Sequence, residues 1–288
     1  MHFLNQLGTS QAIRTLTTNE ALVGVARHLH LATPLKSLEY RLRGPSDGII
    51  RHKIAGVEVS FAAPDATEFR TLESCYADEA DFIEVLAEKL RPGGVFYDVG
   101  SNVGQFVIPM AKIAAQRGEV IGFEPHPANH RKLRENISIN LLANARTFQL
   151  ALADSGGEIQ IYGTRGTATA VARAAAAQPS SEVATVPAKR GDDLRVEARL
   201  PVPTSVKIDV EGAEFGVLRG LTETLSHPRC ELLCLEIHPG FIPPEITTEM
   251  ILSLVRSFGF KHLKTQARQS ELHLVAEKAK TEGRCDPA

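Results

Sequence analysis

Short apolar runs alternate with segments of helical spacing over most of the chain. The runs that have the length and composition of buried strands cover residues 95–99, 120–123, 147–153, 205–210 and 232–237. The segments with helical spacing cover residues 78–90, 103–117, 127–142, 214–225 and 246–258. Because strands that alternate with helices form parallel sheets, this pattern predicts an α/β fold with a mostly parallel sheet.

The pattern also suggests how the chain is divided. We predict an N-terminal helical extension over residues 1–48, a Rossmann-like domain over residues 49–278 and a polar tail over residues 279–288. Shorter extended pieces are predicted at 50–63, 159–161, 262–263 and 272–275. Residues 164–190 interrupt this alternation of strands and helices and include an alanine-rich stretch from Ala168 to Ala177. We predict a mobile insertion here, which is either a functional lid or disordered.

Composition and charge narrow the class of protein. The chain is 43% hydrophobic and 23% charged with a net charge of −2, which is typical of a globular protein and does not favour nucleic-acid binding. No apolar stretch has the length of a membrane span or the pattern of a signal peptide. Cys230 and Cys234 lie in an apolar run without a C-x-x-C pair, so we expect buried, reduced thiols and a cytoplasmic protein.

The first candidate binding motif is the segment from Asp98 to Gly104, where a buried strand turns into a helix. Glycines there allow a sharp bend and a close approach to a ligand, and helix-start amides favour a negative group. Asp98, at the strand end, suits a positive group. S-adenosylmethionine carries both charges in its amino-acid tail. The spacing from Gly100 to Gly104 is G-x-x-x-G, whereas a dinucleotide usually requires G-x-G-x-x-G, so NAD is disfavoured.

Acidic residues follow the next two predicted strands. Glu124 directly follows the strand at 120–123, where a carboxylate is placed to accept hydrogen bonds from both ribose hydroxyls. Asp154 follows the strand at 147–153, where it would face the adenine amino group; an ordinary turn at Asp154–Gly157 is the alternative.

Two further strand ends carry candidate catalytic residues. Asp209 and Glu211 follow the strand at 205–210, and ligands in such sheets bind outside the carboxyl ends of the strands. Glu214 is interpreted as a partner of the helix dipole. Glu236 and His238 share a face at the end of the strand at 232–237, and a histidine there is a candidate general base.

These residues lie in strings that resemble the FkbM family of methyltransferases. The strings are FYDVGSNVGQF, GFEPHP, VKIDVEGAEFGVLRGL and LEIHPG, in this order. The resemblance spans roughly residues 50–275. It implies a class I methyltransferase fold, with seven strands of which one is antiparallel and helices on both faces. It also implies S-adenosylmethionine as methyl donor, S-adenosylhomocysteine as product, and a hydroxyl acceptor on a sugar, glycolipid or polyketide-type molecule.

The resemblance also implies roles for individual residues. Ser101 stands where the family often has alanine. Asp209 and Glu211 would lie near the sulfonium and the acceptor, and Asp154 would face the adenine. The positions that would bind the methionine end and the ribose are Asp98, Gly100, Ser101, Asn102, Gly104 and Glu124.

The hypothesis for the chemistry is removal of the acceptor proton and in-line methyl transfer. His238 or Asp209 would be the base, and Glu211 or Glu236 would orient the acceptor or the base. No metal is assigned, although Asp209, Glu211 and Glu236 would suit magnesium. The alternatives are a nicotinamide oxidoreductase, a non-catalytic binding module, and a methyltransferase acting on nitrogen or RNA. The last is disfavoured because no Asn-Pro-Pro-Tyr type of motif is present and the chain is not basic.

Overall fold

The computed structural model describes residues 32–164, 167–169, 182–268 and 270–279. Within these residues the chain forms two compact units. The smaller contains residues 32–53 and 58–79, and the larger contains 54–57 and 80–279. The domain boundary at residue 48 stays a prediction, and most of the N-terminal extension lies outside the described residues.

The smaller unit consists of two helices and a hairpin. Its elements are α1 (Ala32–Arg43), β1 (Ile49–Ile54), β2 (Val57–Ala62) and α2 (Ala66–Asp78). Phe61, Phe69 and Leu72 are buried, and the Tyr40 hydroxyl donates to the carbonyl of Ala63 at 2.8 Å. The extended segment predicted at 50–63 is confirmed. Helix α2 was not predicted, although Phe69 and Leu72 have helical spacing.

The larger unit alternates strands and helices. Its helices are α3 (Ala80–Lys89), α4 (Val107–Ala114), α5 (Pro127–Ile139), α6 (Gly191–Glu197), α7 (Glu214–Gly220), α8 (Thr222–Ser226) and α9 (Thr248–Ser257). Its strands are β3 (Val95–Val99), β4 (Glu119–Phe123), β5 (Ala145–Phe148), β6 (Ala151–Ala153), β7 (Gly157–Thr164), β8 (Thr167–Thr169), β9 (Glu182–Arg190), β10 (Ser205–Ile208), β11 (Leu232–Ile237), β12 (Phe260–Arg268) and β13 (Glu271–Lys278).

The main sheet confirms the predicted fold. Among the described residues it has seven strands in the order β12-β13-β11-β10-β3-β4-β5, and β13 alone runs antiparallel to its neighbours. Every residue of β3, β10 and β11 is buried, as expected for parallel strands covered on both faces. The chain order reverses between β3 and β10, and ligands of doubly wound sheets bind at such a switch point.

A second sheet corrects two predictions. The single strand predicted over 147–153 is wrong, because β5 ends at Phe148 and β6 belongs to a separate sheet with order β6-β9-β7-β8. The mobile insertion predicted over 164–190 is wrong for residues 182–190, which form β9 and pair with β7. Val186 and Ala188 are buried there, so alternate apolar side chains hold the strand. Residues 170–181 lie outside the described part.

Helix bounds differ from the predictions for local reasons. Helix α4 begins at Val107 rather than 103, because Gly104 has a φ of +98° that no helical residue adopts. The helix predicted over 214–225 is divided into α7 and α8. The Asp192 carboxylate accepts hydrogen bonds from the amides of Glu223 and Thr224 at 2.8 and 2.9 Å, which favours a new helix start there.

The side chains of Cys230 and Cys234 and the lengths of the helices test two further sequence predictions. Cys230 and Cys234 are buried and free, which confirms the interpretation of both, and burial raises the pKa of Cys230 to about 12. None of the helices in the described ranges is both long enough and apolar enough to cross a membrane.

Two glycines of α7 provide a test of how tightly the small sheet packs on this helix. A Cβ on Gly220 would lie 1.9 Å from the carbonyl oxygen of Ala153 in β6, whereas a Cβ on Gly216 meets nothing within 4 Å. We expect Gly220→Ala to lower the free energy of unfolding by about 1–3 kcal/mol through overpacking. Gly216→Ala should raise it by up to about 1 kcal/mol, because alanine favours the helix. Urea denaturation measures both, and equal shifts would contradict this packing.

Candidate active site

Five of the predicted site residues meet at one edge of the main sheet. Asp98 lies in β3, Glu124 follows β4, Asp209 follows β10, Glu236 lies in β11, and His238 follows β11. These four strands are neighbours and run parallel, so their carboxyl ends open on the same side. The edge therefore places acidic groups and an imidazole around the switch point.

The loop after β3 is shaped by packing within the protein. Gly100 and Gly104 have φ angles of +88° and +98°, and Asn102 has a φ of +47°. A Cβ on Gly100 would lie 1.7 Å from the carbonyl oxygen of Asp209, and one on Gly104 would lie 2.8 Å from Leu133. Both positions thus require glycine for backbone conformation and for close packing, in addition to any ligand that approaches the loop.

Ser101 holds this turn from the inside. Its side chain is buried, and its hydroxyl donates to the carbonyl of Asp98 at 2.8 Å. The hydroxyl also faces Gly122, where a Cβ would lie 2.7 Å from it. Ser101 therefore fixes the loop geometry, and the backbone of the loop rather than this hydroxyl is available to a ligand.

Glu124 ties the loop to the end of β4. Its Oε2 accepts from the amide of Asn102 at 2.8 Å, and its Oε1 accepts from the amide of His126 at 2.9 Å. The residue is 3% exposed. Burial, with a smaller contribution from the charge of Asp98, raises the pKa of Glu124 to about 7, although hydrogen bonds from the two amides and from the Asn129 side chain act in the opposite direction.

Lys207 links the two acidic strand ends, and the sequence analysis did not assign it a role. Its ammonium is buried, 3.1 Å from Asp209 Oδ2 and 3.9 Å from Asp98 Oδ1. It also lies 4.5 Å from the ring centroid of Phe106, within cation–π range. The sequence signal that could have revealed it is a lysine inside a strand predicted to be buried, because a buried ammonium requires charged partners.

Glu214 is more than a partner of the helix dipole. It is fully buried at the start of α7, and its Oε1 accepts from the amide of Gly212 at 2.9 Å. The same oxygen lies 2.8 Å from Nδ1 of His238. This contact fixes the orientation of the imidazole and directs Nε2 toward the other side chains of the edge.

The side chains in this part of the edge form a group that we call the carboxylate–imidazole cluster: Asp209, Glu236, His238, Glu271 and His273. Nε2 of His238 lies 3.3 Å from Glu236 Oε1, 3.7 Å from Glu271 Oε2 and 4.0 Å from Asp209 Oδ1. Nε2 of His273 lies 3.7 Å from Glu236 Oε2 and 3.7 Å from Glu271 Oε1. The two imidazoles thus face the same two glutamates.

The surroundings shift the pKa values of the two imidazoles in opposite directions. Burial lowers the pKa of His238, but hydrogen bonds with Glu214 and Glu236 and the charge of Asp209 outweigh burial and raise it to about 11. Burial lowers the pKa of His273. Nδ1 of His238 faces Glu214 and Nε2 faces Glu236, so the surrounding carboxylates favour the protonated imidazole. The hypothesis that His238 is a neutral general base is therefore not favoured by its surroundings.

A groove of about 520 Å³ adjoins the cluster at its outer side. It lies between α3 and the outer strands β12 and β13, and His273 belongs to both the groove and the cluster. Its lining is polar as well as apolar and consists of Asp81, Phe82, Val85, Lys261, His262, Leu263, Lys264, Gln266, His273, Val275 and Glu277.

Comparison with known proteins assigns the family. Residues 98–262 match the family model described as the methyltransferase FkbM domain, which covers more than half of the chain. The chain belongs to the FkbM methyltransferase family. The family resemblance predicted from the sequence is confirmed, and the matched range contains all five residues of the edge: Asp98, Glu124, Asp209, Glu236 and His238.

Three curated relatives of this FkbM protein are methyltransferases. Hexuronic acid methyltransferase AglP of Haloferax volcanii is 29% identical over 68% of this chain and 77% of its own. 2-O-methyltransferase NoeI of Sinorhizobium fredii is 28% identical, with coverages of 58% and 73%. 31-O-demethyl-FK506 methyltransferase FkbM of Streptomyces tacrolimicus is 27% identical, with coverages of 72% and 92%. The prediction of a methyltransferase is confirmed.

Asp154 and Glu211 are two further site residues that the sequence predicts. Asp154 follows β6 of the second sheet, is exposed, and lies 3.4 Å from Arg219. Its predicted position assumed that one strand of the main sheet continues to Ala153, which is wrong. Glu211 lies in the turn before α7 with a φ of +46° and is half-buried. Their roles stay predictions.

Two residues of the cluster lie outside the motifs that revealed the family. Glu271 and His273 lie on β13, where the register places His273 directly beside Glu236 of β11. The alternation Glu271-Leu272-His273-Leu274 puts both polar side chains on one face of the strand. This alternation is the sequence feature from which the two residues could have been predicted.

The raised pKa of Glu124 gives a testable dependence of stability on pH. The native pKa of about 7 exceeds the ordinary value of 4.5, so the native state binds more protons than the unfolded state between these values. The free energy of unfolding should therefore fall as pH rises through this window. Between pH 5.5 and 8 we expect the wild type to lose about 2 kcal/mol more than Glu124→Gln in chemical denaturation. Identical pH profiles would show that Glu124 titrates normally.

Proposed function

We propose that this FkbM protein transfers a methyl group from S-adenosylmethionine to a hydroxyl group of a sugar or glycolipid. The observation that carries the proposal is the convergence of Asp98, Glu124 and Asp209 with the carboxylate–imidazole cluster at one sheet edge. The family supports methyl transfer. The names of the curated relatives, which refer to hexuronic acid and 2-O-methylation, support a sugar hydroxyl.

The edge around β3 and β4 has the donor and acceptor groups that S-adenosylmethionine requires. Backbone amides after Gly100 suit the carboxylate of the methionine part, and Asp98 suits its ammonium. Glu124 already accepts from two backbone amides and from the side chain of Asn129, but a carboxylate has about four lone-pair sites, so a ribose hydroxyl can also donate to it. When bound, this cofactor supplies an activated methyl group on a sulfonium.

The edge around β10 and β11 would receive the acceptor. Asp209 lies between the two sides, since Lys207 holds its Oδ2 and His238 Nε2 is 4.0 Å from its Oδ1. Its side chain is 27% exposed, whereas those of Glu236 and Glu214 are nearly inaccessible. We therefore assign Asp209 as the group that accepts the hydroxyl proton, and His238 and Glu236 as the groups that orient it. The groove at His273 supports approach of a polar acceptor from that side.

Calorimetry tests the cofactor. We expect micromolar binding of S-adenosylmethionine and S-adenosylhomocysteine and no heat with NAD or NADP. Glu124→Gln should weaken binding at least about tenfold, because an amide offers one acceptor oxygen where the carboxylate offers two. Glu119→Gln is the matched control, since Glu119 lies at the opposite end of the same strand, β4. Binding of NAD, or none of the sulfur compounds, would refute the cofactor assignment.

Methyl transfer tests the acceptor class. The protein would be incubated with S-adenosylmethionine labelled in the methyl group and with methyl glucoside, methyl glucuronoside and a simple secondary alcohol. We expect label on a sugar, retained after alkaline hydrolysis because an ether resists base and a methyl ester does not. Asp209→Asn should lower turnover by about 100-fold or more and cofactor affinity far less. Label that base removes would contradict hydroxyl methylation, and label on neither sugar would contradict the sugar acceptor.

A further inference from the structure

The carboxylate–imidazole cluster has more negative charge than an acceptor hydroxyl alone requires. Three carboxylates, those of Asp209, Glu236 and Glu271, lie within 4.0 Å of His238 Nε2. Glu214, at Nδ1 of the same ring, adds a fourth carboxylate. Such a concentration of buried or half-buried carboxylates is costly unless cations lie among them.

The distances in the cluster match those between ligands of one metal ion. Ligand atoms of Asp209, Glu236 and His238 all lie within 4.8 Å of one another. An ion at about 2.0–2.2 Å from nitrogen and oxygen ligands places neighbouring ligands about 3 Å apart and opposed ones about 4.2 Å apart. The distances from His238 Nε2 to Glu236, Glu271 and Asp209 are 3.3, 3.7 and 4.0 Å and fall in this range.

A second, independent feature points to a cation. His273 is 97% buried, as its 3% exposure shows, and its ring stacks on Phe82 with centroids 4.4 Å apart. Among the residues that the structure describes, neither of its ring nitrogens has a hydrogen-bond partner. Its Nε2 nevertheless faces Glu236 and Glu271 at 3.7 Å. A buried imidazole is thus held against the same carboxylates without a hydrogen bond to either of its ring nitrogens.

The contact between Glu214 and His238 is the usual support of a metal-bound histidine. A ligating histidine commonly donates its other ring N–H to a carboxylate, which fixes the tautomer and directs the lone pair at the ion. Here Nδ1 faces Glu214 Oε1 at 2.8 Å, and Nε2 faces the cluster. Imidazole ligands favour a transition ion over the magnesium considered from sequence, and carboxylates are compatible with manganese.

We propose that Asp209, Glu236 and His238, with Glu271 beside them, bind one divalent transition-metal ion such as Mn²⁺ at the acceptor side of the sheet edge. The site goes beyond the proposed function, because binding of the ion requires neither cofactor nor acceptor. An acceptor hydroxyl that coordinates the ion would lose its proton more readily.

Manganese binding can be measured directly. The chelator-treated full chain is titrated with Mn²⁺, and the electron paramagnetic resonance signal of free Mn²⁺ is recorded. We expect about one bound ion per chain. Glu271→Gln and Glu236→Gln should each weaken binding at least about tenfold. Glu277→Gln is the matched control, because Glu277 lies on the same strand, has similar exposure and pairs with Lys89.

The possible results separate this site from the proposed function. No bound Mn²⁺ at millimolar concentration would overturn the metal site, as would binding that both cluster variants leave unchanged. Circular dichroism of each variant shows whether it is folded. Calorimetry with S-adenosylmethionine in the presence of EDTA tests the cofactor site independently, so failure of either proposal is recognised without the other.

Discussion

The arrangement of the sheet edge depends on the ion pairs that the buried ammonium of Lys207 forms with two carboxylates. The ammonium lies in the centre of the sheet between Asp98 of β3 and Asp209 after β10. A buried ion pair contributes little net stability, but removing one partner leaves an uncompensated charge and is strongly destabilising. The lysine therefore fixes the two carboxylates relative to each other. The backbone adds a second restraint, because Gly100 packs directly against the carbonyl of Asp209.

Electrostatics divides the edge into two sides. On the side of β3 and β4, the charges of Asp98 and Glu124 are few and are balanced by Lys207 and backbone amides. On the side of β11 and β13, carboxylates surround one charged imidazole. A sulfonium cofactor and a hydroxyl acceptor need these two environments next to each other, one to bind a zwitterionic tail and the other to receive a proton.

Much of this architecture could be predicted because the central strands are buried on both faces. The strand Leu232–Ile237 has the predicted bounds, since its apolar run is interrupted only by Glu236 near its end. The strand end at Ala153 and the strand at Glu182–Arg190 were mispredicted, because their pairing is with the second sheet and is set by long-range contacts. Asp98, Glu124, Asp209 and His238 were found because each follows or ends a central strand. Lys207 and Glu214 were not assigned to the site, since their partners become evident only when strands are aligned.

The antiparallel strand β13 explains why the carboxylate–imidazole cluster contains more polar side chains than the ends of the parallel strands alone would supply. Each parallel strand contributes to the edge only the residues where it ends. Strand β13 runs in the opposite direction, so it begins where β11 ends and aligns Leu272 with Ile237 and His273 with Glu236. One reversed strand thereby adds the carboxylate of Glu271 and the imidazole of His273 to the side that we propose receives the acceptor. The composition of that side follows from the direction of a single strand, which is a property of the fold that no local motif contains.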